Sequence, residues 1–332
     1  RMWYAGMGQD NVMRIYYATS LDGISWALHG MVLDVGASGS WDCRRLSKPA
    51  VLFDGTMFKM WYMGVGESTS IDGMIGYATS SNGIDWTKYV GNPVMVPGGN
   101  GGWDDHSVGD HSVFFNGTHY LLWYAGWPYR DSQARVGVAT SVDGVVWTKY
   151  PNNPVMTYGP SAWDNRHVFP GAVLRNASYY LMWYTGQCWS APDRIGGDRI
   201  GLAVSPDGFS WMKYEGSPVL DWGPVGSWET SVNRASVVEK ESKLMMWYTG
   251  VYQNNVRIGL ATQQYYLRLT TSPLNITLPI GGGWYDPETY ASISAEEYVY
   301  VASDMRYRFS GWTTADVAEI IDPASVSTMV LM

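Results

Sequence analysis

The segment Leu121-Leu122-Trp123-Tyr124-Ala125-Gly126 contains the motif that decides the fold, Trp-Tyr-x-Gly. The motif occurs five times at intervals of 58, 62, 60 and 64 residues, with its tryptophan at Trp3, Trp61, Trp123, Trp183 and Trp247. A second motif, Trp-Asp or Trp-Glu, begins at Trp41, Trp103, Trp163 and Trp228. A third, Ser-x-Asp/Asn-Gly-x-x-Trp, ends at Trp26, Trp86, Trp147 and Trp211. Because the motifs keep a constant order, the chain is built from repeats of one structural unit.

Each unit predicts four short β-strands, which we name A to D. In the third unit they are Ser112–Phe115, Tyr120–Tyr124, Val136–Thr140 and Val145–Lys149. Asn-Gly and Asp-Gly pairs between A and B and between C and D are typical hairpin turns. Strand B is almost wholly apolar, so both of its faces are expected to be buried. Four-stranded sheets packed radially bury both faces, and the sequence therefore predicts an all-β chain with a five-bladed β-propeller.

The first and last units differ from the others. The first unit (Met2 to His29) has strands B, C and D but no strand A, so we expect an inner strand from upstream sequence or a different closure of the ring. The fifth unit has A, B and C, and its strand D is predicted at Tyr265–Thr270. From Thr271 no blade motif occurs. We therefore predict a propeller over residues 1–270 and a small β-rich module over 271–332, which loosely resembles Gly-Trp-containing repeats of surface proteins.

Composition narrows the classes of partner. The net charge of −8 argues against nucleic acid. The sequence contains no run of about 18 apolar residues, the length that a membrane-spanning helix needs. Two cysteines, Cys43 and Cys188, are expected to be free thiols rather than a bridge. Three glycosylation sequons favour an extracellular or cell-surface protein, at Asn116, Asn176 and Asn275.

The long B-to-C and D-to-A connections share one face around the central channel, where propeller ligands usually bind. The tryptophan and acid of the Trp-Asp/Glu motif recur in four units, so we predict that the tryptophan packs between blades and the acid caps a turn. The residues between this acid and strand A vary in charge from blade to blade, which favours a ligand site at the mouth. Its predicted ligand-binding residues are Arg45, His106, His111, Arg166, His167 and Arg234.

Several runs carry a family resemblance, among them Ile75-Gly76-Tyr77-Ala78-Thr79-Ser80 and Asp85-Trp86-Thr87-Lys88-Tyr89. Over about Met2 to Thr262 the chain resembles the five-bladed glycoside hydrolases, which include arabinanases, levansucrases, invertases and glycoside hydrolase family 43. The resemblance implies catalytic carboxyl groups around the channel. Asp110 is the best candidate by its place before an inner strand, and Asp105 and Glu229 are the other catalytic candidates. No Glu-Gly-Pro run supplies the general acid of that family.

Other features leave the ligand open. Trp127 and Trp189 are predicted to stack on sugar rings, although packing within loops explains any single aromatic residue equally well. The acids and histidines between Asp105 and His167 allow a zinc or manganese site, but their spacing matches no metal motif. We expect no cofactor; similar proteins often hold a calcium ion on the channel axis, and that alternative stays open.

Two functions are compatible with these observations. The first is a secreted glycosidase acting on a polysaccharide or oligosaccharide at the channel mouth, and the second is a glycan-binding or structural propeller of the cell surface without catalysis. A pair of carboxyl groups facing each other across the pocket favours the first. An aromatic groove without such a pair favours the second, and self-association through the open first blade is a third alternative.

Overall fold

The computed structural model describes residues 1–67, 72–130, 133–160, 163–176, 179–189, 197–224, 226–240, 243–253, 255–262, 265–267, 283–285, 290–295, 298–302, 305–308, 310–312, 319–320, 323–325 and 327–331. All regular structure in these ranges is β-strand, which confirms the predicted all-β class, and none of it is a helix that could cross a membrane. The chain divides into two compact units, Arg1–Val238 with Met246–Leu260, and Glu239–Met245 with Ala261–Met332. The predicted boundary at residue 270 lies outside the described residues.

The first blade has three antiparallel strands, β1 (Met2–Met7), β2 (Met13–Thr19) and β3 (Ala27–Leu33). Among the described strands, β1 pairs only with β2, so this part of the chain supplies no inner strand for the first blade. The second blade is complete and contains β4 (Arg45–Phe53), β5 (Phe58–Val65), β6 (Met74–Ser80) and β7 (Thr87–Lys88). A parallel bridge between Met13 and Arg45 joins the two blades.

The next three blades repeat this arrangement. The third contains β8 (Ser107–Phe115), β9 (Tyr120–Trp127), β10 (Arg135–Ser141) and β11 (Thr148–Lys149). The fourth contains β12 (His167–Phe169), β13 (Val173–Arg175), β14 (Tyr180–Gln187), β15 (Asp198–Ser205) and β16 (Met212–Lys213). The fifth contains β17 (Ser231–Lys240), β18 (Lys243–Tyr252) and β19 (Asn255–Thr262).

The remaining strands are short and pair among themselves. They are β20 (Tyr265–Leu267), β21 (Gly283–Tyr285), β22 (Tyr290–Ser294), β23 (Tyr298–Ala302), β24 (Met305–Arg308), β25 (Glu319–Ile320) and β26 (Ser327–Leu331). Since β20 pairs with β21 and not with β19, the prediction of a D strand for the fifth blade at Tyr265–Thr270 is wrong over its described part.

The C-to-D hairpins begin their D strands later than predicted. In the third blade the Oδ1 atom of Asp143 accepts hydrogen bonds from the backbone N–H groups of Val145 and Val146, both at 2.8 Å. Ser141 Oγ accepts a third bond, from Gly144 N–H at 2.8 Å. These bonds hold residues 143–147 in a turn, because the N–H groups that a strand would use are already occupied. The predicted strand Val145–Lys149 is therefore reduced to its last two residues, Thr148 and Lys149.

The tryptophan of each Trp-Tyr-x-Gly motif links its blade to another one. Trp123, which is fully buried, donates its indole N–H to the carbonyl of Gly208 at 2.8 Å, in the C-to-D turn of the fourth blade. The two motifs therefore occur together because each blade's tryptophan needs the next blade's turn. The equivalent bonds run from Trp3 to Gly83, from Trp61 to Gly144 and from Trp247 to Gly23, the last joining the fifth blade to the first.

The Trp-Asp/Glu motif is architectural, as predicted, but the prediction that its acid caps a turn is wrong. Asp104 is 4% exposed and accepts hydrogen bonds from the Tyr124 hydroxyl at 3.1 Å and from Lys149 Nζ at 2.6 Å. Its partners are thus side chains of strands B and D rather than backbone N–H groups of a turn. Trp103 packs against Gly126 and Gly137, where an added Cβ would lie 2.4 and 2.6 Å from its ring. The same contacts recur at Asp42 with Tyr62 and Lys88, and at Asp164 with Tyr184 and Lys213.

Candidate functional site

Three charged residues occupy the same position in three inner strands. Lys48 in β4, Asp110 in β8 and Arg234 in β17 all have positive φ angles, of 56°, 37° and 57°. In β4 and β8 the pairing with strand B breaks at this point, between Ser47 and Ala50 and between Gly109 and Ser112. The inner strand of each of these two blades therefore carries a β-bulge that presents one charged side chain. We call Lys48, Asp110 and Arg234 the axial cluster.

The fifth blade reaches this position one residue earlier than the others. Lys48 and Asp110 each follow the motif tryptophan by seven residues, whereas Arg234 follows Trp228 by six. A fully buried residue lies two places before each member of the axial cluster, which supports placing the three at the same position. These residues are Leu46, Val108 and Val232. The Trp-Asp/Glu segment of the fifth blade is therefore one residue shorter than those of the second and third blades.

The three side chains of the axial cluster contact one another. Lys48 Nζ forms an ion pair with Asp110 Oδ1, and Arg234 Nε lies 3.6 Å from the same oxygen. The side chains of Lys48 and Asp110 are 15% and 13% exposed, whereas that of Arg234 is 53% exposed. A largely buried carboxylate is thus held between two cations, one buried and one open to solvent.

Burial acts on both cations, and like charge acts on Lys48 alone. Burial lowers the pKa of Lys48 well below its usual value, repulsion from Arg234 and Arg45 lowers it further, and Asp198 opposes this. Contact with Asp110 favours the ammonium form, yet desolvation is the largest effect. Burial lowers the pKa of Arg234 too, and Asp198 again opposes the shift, but the half-exposed guanidinium stays charged. The cost of positive charge therefore falls on Lys48, and Asp110 and Asp198 offset part of it.

Asp198 is a second carboxylate near the cluster, and the sequence analysis missed it. Its two oxygens accept hydrogen bonds from Gln187 Nε2 and Asn233 Nδ2, both at 2.7 Å. Gly186, the glycine of the Trp-Tyr-x-Gly motif, pairs with Arg199, and Asp198 is the residue before Arg199. The equivalent residues of the other blades are Met13, Gly73 and Ala134. A carboxylate where the other repeats carry uncharged residues was the signal that could have identified it.

Comparisons with known proteins bear on the fold. No family model matches the chain. Two Mycobacterium tuberculosis proteins, Uncharacterized protein MT1551 and Uncharacterized protein Rv1502, are 29% identical over 163 residues, or 48% of this chain. The chain spans about half the length of these relatives, 50% of each.

Solved structures match over a larger share. A structure titled "Glycoside hydrolase" has a TM-score of 0.62 at 19% identity, covering 76% of this chain and 78% of that one. A thermostable family-43 glycoside hydrolase gives 0.61 at 18%, covering 76% and 83%. A β-1,2-mannobiose phosphorylase from Listeria innocua gives 0.58 at 16%, covering 76% and 67%. The chain has the five-bladed β-propeller fold. The predicted fold class and the resemblance in fold to propeller glycoside hydrolases are confirmed.

Two of the predicted ligand-binding histidines lie inside the propeller. His111 is 9% exposed, and neither ring nitrogen has a hydrogen-bond partner of normal geometry among the described residues. Burial lowers its pKa to about 4, so the ring is neutral at neutral pH. His167 is 7% exposed, and its Nδ1 accepts a hydrogen bond from Ala134 N–H at 3.0 Å. The structure therefore gives His111 and His167 packing positions rather than places open to a ligand.

The other two catalytic candidates have structural partners. Asp105 accepts hydrogen bonds from the N–H groups of Gly101 and Tyr129, both at 2.7 Å, and these bonds lower its pKa. Glu229 occupies the position of Asp104 in its own blade and accepts a 2.5 Å bond from the Tyr248 hydroxyl. The structure brings neither residue into contact with Asp110 in the described part of the chain. It therefore offers no support for their predicted catalytic role.

The remaining mouth residues form four separate pairs. The Arg166 guanidinium stacks over the Trp189 ring at 4.6 Å, and Trp189 is 54% exposed. Trp127 packs on Phe169 with ring centroids 5.3 Å apart, so its ring is a packing element. Arg45 is near enough to repel Lys48 and lies 3.5 Å from Asp72. His106 meets the Tyr129 ring edge-on at 5.4 Å.

The described residues do not fit a metal site. Within the described ranges no three His, Cys, Asp or Glu side chains lie close enough together to hold an ion. At the axis a calcium ion would face Lys48 and Arg234, and hard cations require oxygen ligands instead. An axial calcium ion thus has no support in the arrangement of these residues.

The sequons and cysteines are surface and packing features. Asn116 and Asn176 lie in A-to-B turns, where their Oδ1 atoms accept the N–H groups of His119 and Tyr179. Asn275 lies outside the described residues, and glycosylation at all three stays a prediction. Cys43 and Cys188 are both free thiols, as predicted.

Proposed function

We propose that this protein is a carbohydrate-active enzyme that cleaves glycosidic bonds at the axial cluster, with Asp110 in its catalytic set. The observation that carries the proposal is the backbone conformation of Lys48, Asp110 and Arg234. A non-glycine residue in the left-handed region costs about 1–3 kcal/mol, and glycine would avoid that cost. Three such residues at one position, with converging charges, indicate a site whose side chains are needed for function.

Cleavage by water needs one group that donates a proton and one that accepts it. Asp110 lies between two cations that stabilise its negative charge, so it suits the acceptor that takes a proton from the attacking water. Asp198 is the second carboxyl group near the cluster, and in its protonated form it would be the donor to the leaving oxygen, giving up one of its two amide hydrogen bonds. The electron pair of the broken C–O bond stays on that oxygen, which leaves as an alcohol.

The solved structures support a glycoside as the substrate. One matching structure is titled as a β-1,2-mannobiose phosphorylase and two others as glycoside hydrolases. Mannosides are therefore the first substrates to test, together with the polymers of the resemblance, arabinan and fructan. The charge of −8 gives no electrostatic reason for a nucleic-acid substrate.

The test is sugar release from arabinan, xylan, fructan, mannan and sialylated glycans by the protein and by Asp110→Asn. We expect the variant to lose at least about a hundredfold in rate, the usual contribution of a general base. Asp105→Asn is the matched control, because it removes a half-buried carboxylate of the same blade that binds only backbone N–H groups. Equal activity of Asp110→Asn and the parent would refute the proposal.

A second candidate is a glycan-binding protein without catalysis. The observation in its favour is Trp189, which is half exposed with its ring orientation fixed by Arg166, as expected of a platform for a sugar ring. Glycan binding that Trp189→Ala weakens, in a protein that releases no sugar from any polymer, would establish this function and exclude the enzyme.

We propose an extracellular or cell-surface location, which the two sequons in exposed turns support. Protein from its native source should lose mass when treated with an amidase that removes N-linked glycans. An unchanged mass would contradict glycosylation at Asn116, Asn176 and Asn275.

A further inference from the structure

We propose that the sugar recognised at the axial cluster carries a carboxylate, which Arg234 binds. The inference deepens the proposed function, since it concerns the same site, but it holds for a binding protein as well. It rests on three features of the structure. Arg234 has hydrogen-bond donors without partners among the described residues, the nearby carboxylates already have partners, and Asn233 beside Arg234 has an acceptor oxygen without one.

Arg234 has a fixed base and an open end. Its backbone N–H donates to Thr185 Oγ1 at 3.0 Å, and Thr185 is 2% exposed. Its Nε faces Asp110 at 3.6 Å, which orients the guanidinium plane. The side chain is 53% exposed, and none of the described residues hydrogen-bonds to its two terminal nitrogens. Those nitrogens form a flat fork of donors that matches the two oxygens of a carboxylate.

The carboxylates near Arg234 already have partners. Asp110 pairs with Lys48, Asp198 accepts two amide hydrogen bonds, and Asp72 lies 3.5 Å from Arg45. Arg234 is therefore a cation of this group with donors left for a ligand. Burial disfavours the charged form of Lys48, which Arg234 and Arg45 also repel. An incoming negative charge offsets this cost, whereas a neutral sugar does not.

The neighbouring residue carries a buried acceptor without a partner. Asn233 is 7% exposed, and its Oδ1 has no hydrogen-bond partner among the described residues, although its Nδ2 binds Asp198. A buried acceptor without a partner costs free energy, which a hydroxyl would remove if ligand binding opened access to this oxygen. Inorganic phosphate shares the oxyanion chemistry, and we favour the acidic sugar because the proposed function acts on glycosides.

The test is calorimetric binding of methyl glucuronide and methyl galacturonide against methyl glucoside and methyl galactoside, with inorganic phosphate as a separate probe. We expect at least one acidic sugar to bind at least tenfold more tightly than its neutral counterpart, with the difference decreasing in high salt. Arg234→Gly should abolish the preference. That variant removes the side chain at a position where glycine is unstrained, so loss of binding does not reflect a distorted backbone.

Two further variants complete the test. Arg44→Gln removes an exposed arginine of the second blade, in the segment between the Trp-Asp motif and the inner strand, and should leave the preference for acidic sugars unchanged. Arg234→Lys should retain part of it, because a point charge replaces the fork. Equal affinity for acidic and neutral sugars, or a preference that survives in Arg234→Gly, overturns the inference. Binding of phosphate alone, lost in Arg234→Gly, also overturns it and assigns the site to inorganic phosphate.

The outcomes separate this inference from the proposed function. Cleavage of a neutral glycan that depends on Asp110, without any preference for acidic sugars, would retain the enzyme and reject the carboxylate. Arg234-dependent binding of an acidic sugar, with no cleavage of polymers that contain it, would do the reverse.

Discussion

Replacing Gly126 by alanine tests whether the motif glycine is fixed by the tryptophan above it. A Cβ at this position would lie 2.4 Å from Trp103 Cζ3 and 2.5 Å from the Cβ of Asp104. Neither atom is the end of a flexible chain, because the indole is stacked on the blade and Asp104 is held by Lys149. Overpacking of this kind costs about 2 kcal/mol. We therefore expect the melting temperature to fall by about 4–8 °C.

Gly99→Ala is the matched control, because Gly99 lies in the same blade and an added Cβ there meets no atom within 4 Å. Urea unfolding of the two variants measures the difference in free energy. The double variant Gly126→Ala with Trp103→Ala should cost less than the sum of its parts by about 1 kcal/mol or more, because the clash is removed. Additive costs, or a Gly126→Ala variant as stable as Gly99→Ala, would refute the argument that tryptophan and glycine are one unit.

The remaining predictions concern pH, the links between blades and the buried acids. Burial lowers the pKa of His111 from its ordinary 6.5 to about 4 in the folded protein, so the unfolded chain binds the proton first as pH falls. Stability therefore falls as pH drops from 6.5 to 4, and the loss reaches about 3 kcal/mol. His111→Gln should lack this part of the pH dependence, measured as the change in the urea unfolding midpoint between pH 7 and pH 4.5. The control His119→Gln, at an exposed site, should keep it. An equal change of midpoint in the two variants would contradict the effect of burial. Trp61→Phe should lose about 2 kcal/mol, because the Gly144 carbonyl loses its donor and the smaller ring leaves a void; a variant as stable as the parent would show that the bond contributes nothing. Lys149→Met should cost about 2 kcal/mol of stability, because the buried Asp104, 4% exposed, is left with Tyr124 as its one side-chain partner in the described part of the chain. If Asp104→Asn costs the same in the parent protein and in Lys149→Met, the two residues do not interact.

Much of the fold follows from the sequence because its determinants are local and repeated. The Asp143-Gly144 turn and the apolar strand around Trp123 recur in a constant order, and this repetition predicts their arrangement. The Trp103 and Asp104 pair was also assigned correctly to architecture, since a residue present in every copy serves what every copy shares. The partners of the acid were not predictable in the same way, because the tyrosine and the lysine lie 20 and 45 residues along the chain.

The site was harder to predict for physical reasons. Strand periodicity tells which face a side chain occupies only while pairing is regular, and the bulge at Asp110 interrupts it. His111 therefore lies inside the propeller although its neighbour faces the cluster. The deletion before Arg234 shifts the fifth blade by one residue, so a gapless alignment compares the wrong positions. Asp198 lies outside the segment in which charge variation was sought, although its departure from Met13, Gly73 and Ala134 was visible in the sequence.

The hydrogen bond from Trp247 to Gly23 spans 224 residues of sequence, whereas the other three bonds of its kind span 80 to 85. During synthesis on the ribosome, the first blades can therefore form their mutual links early, but the turn at Gly23 waits for almost the whole propeller to emerge. Such a late, long-range contact slows the last step of folding more than any earlier one. Truncation just before the fifth blade should accordingly leave a set of correctly paired sheets with an exposed, aggregation-prone surface on the first.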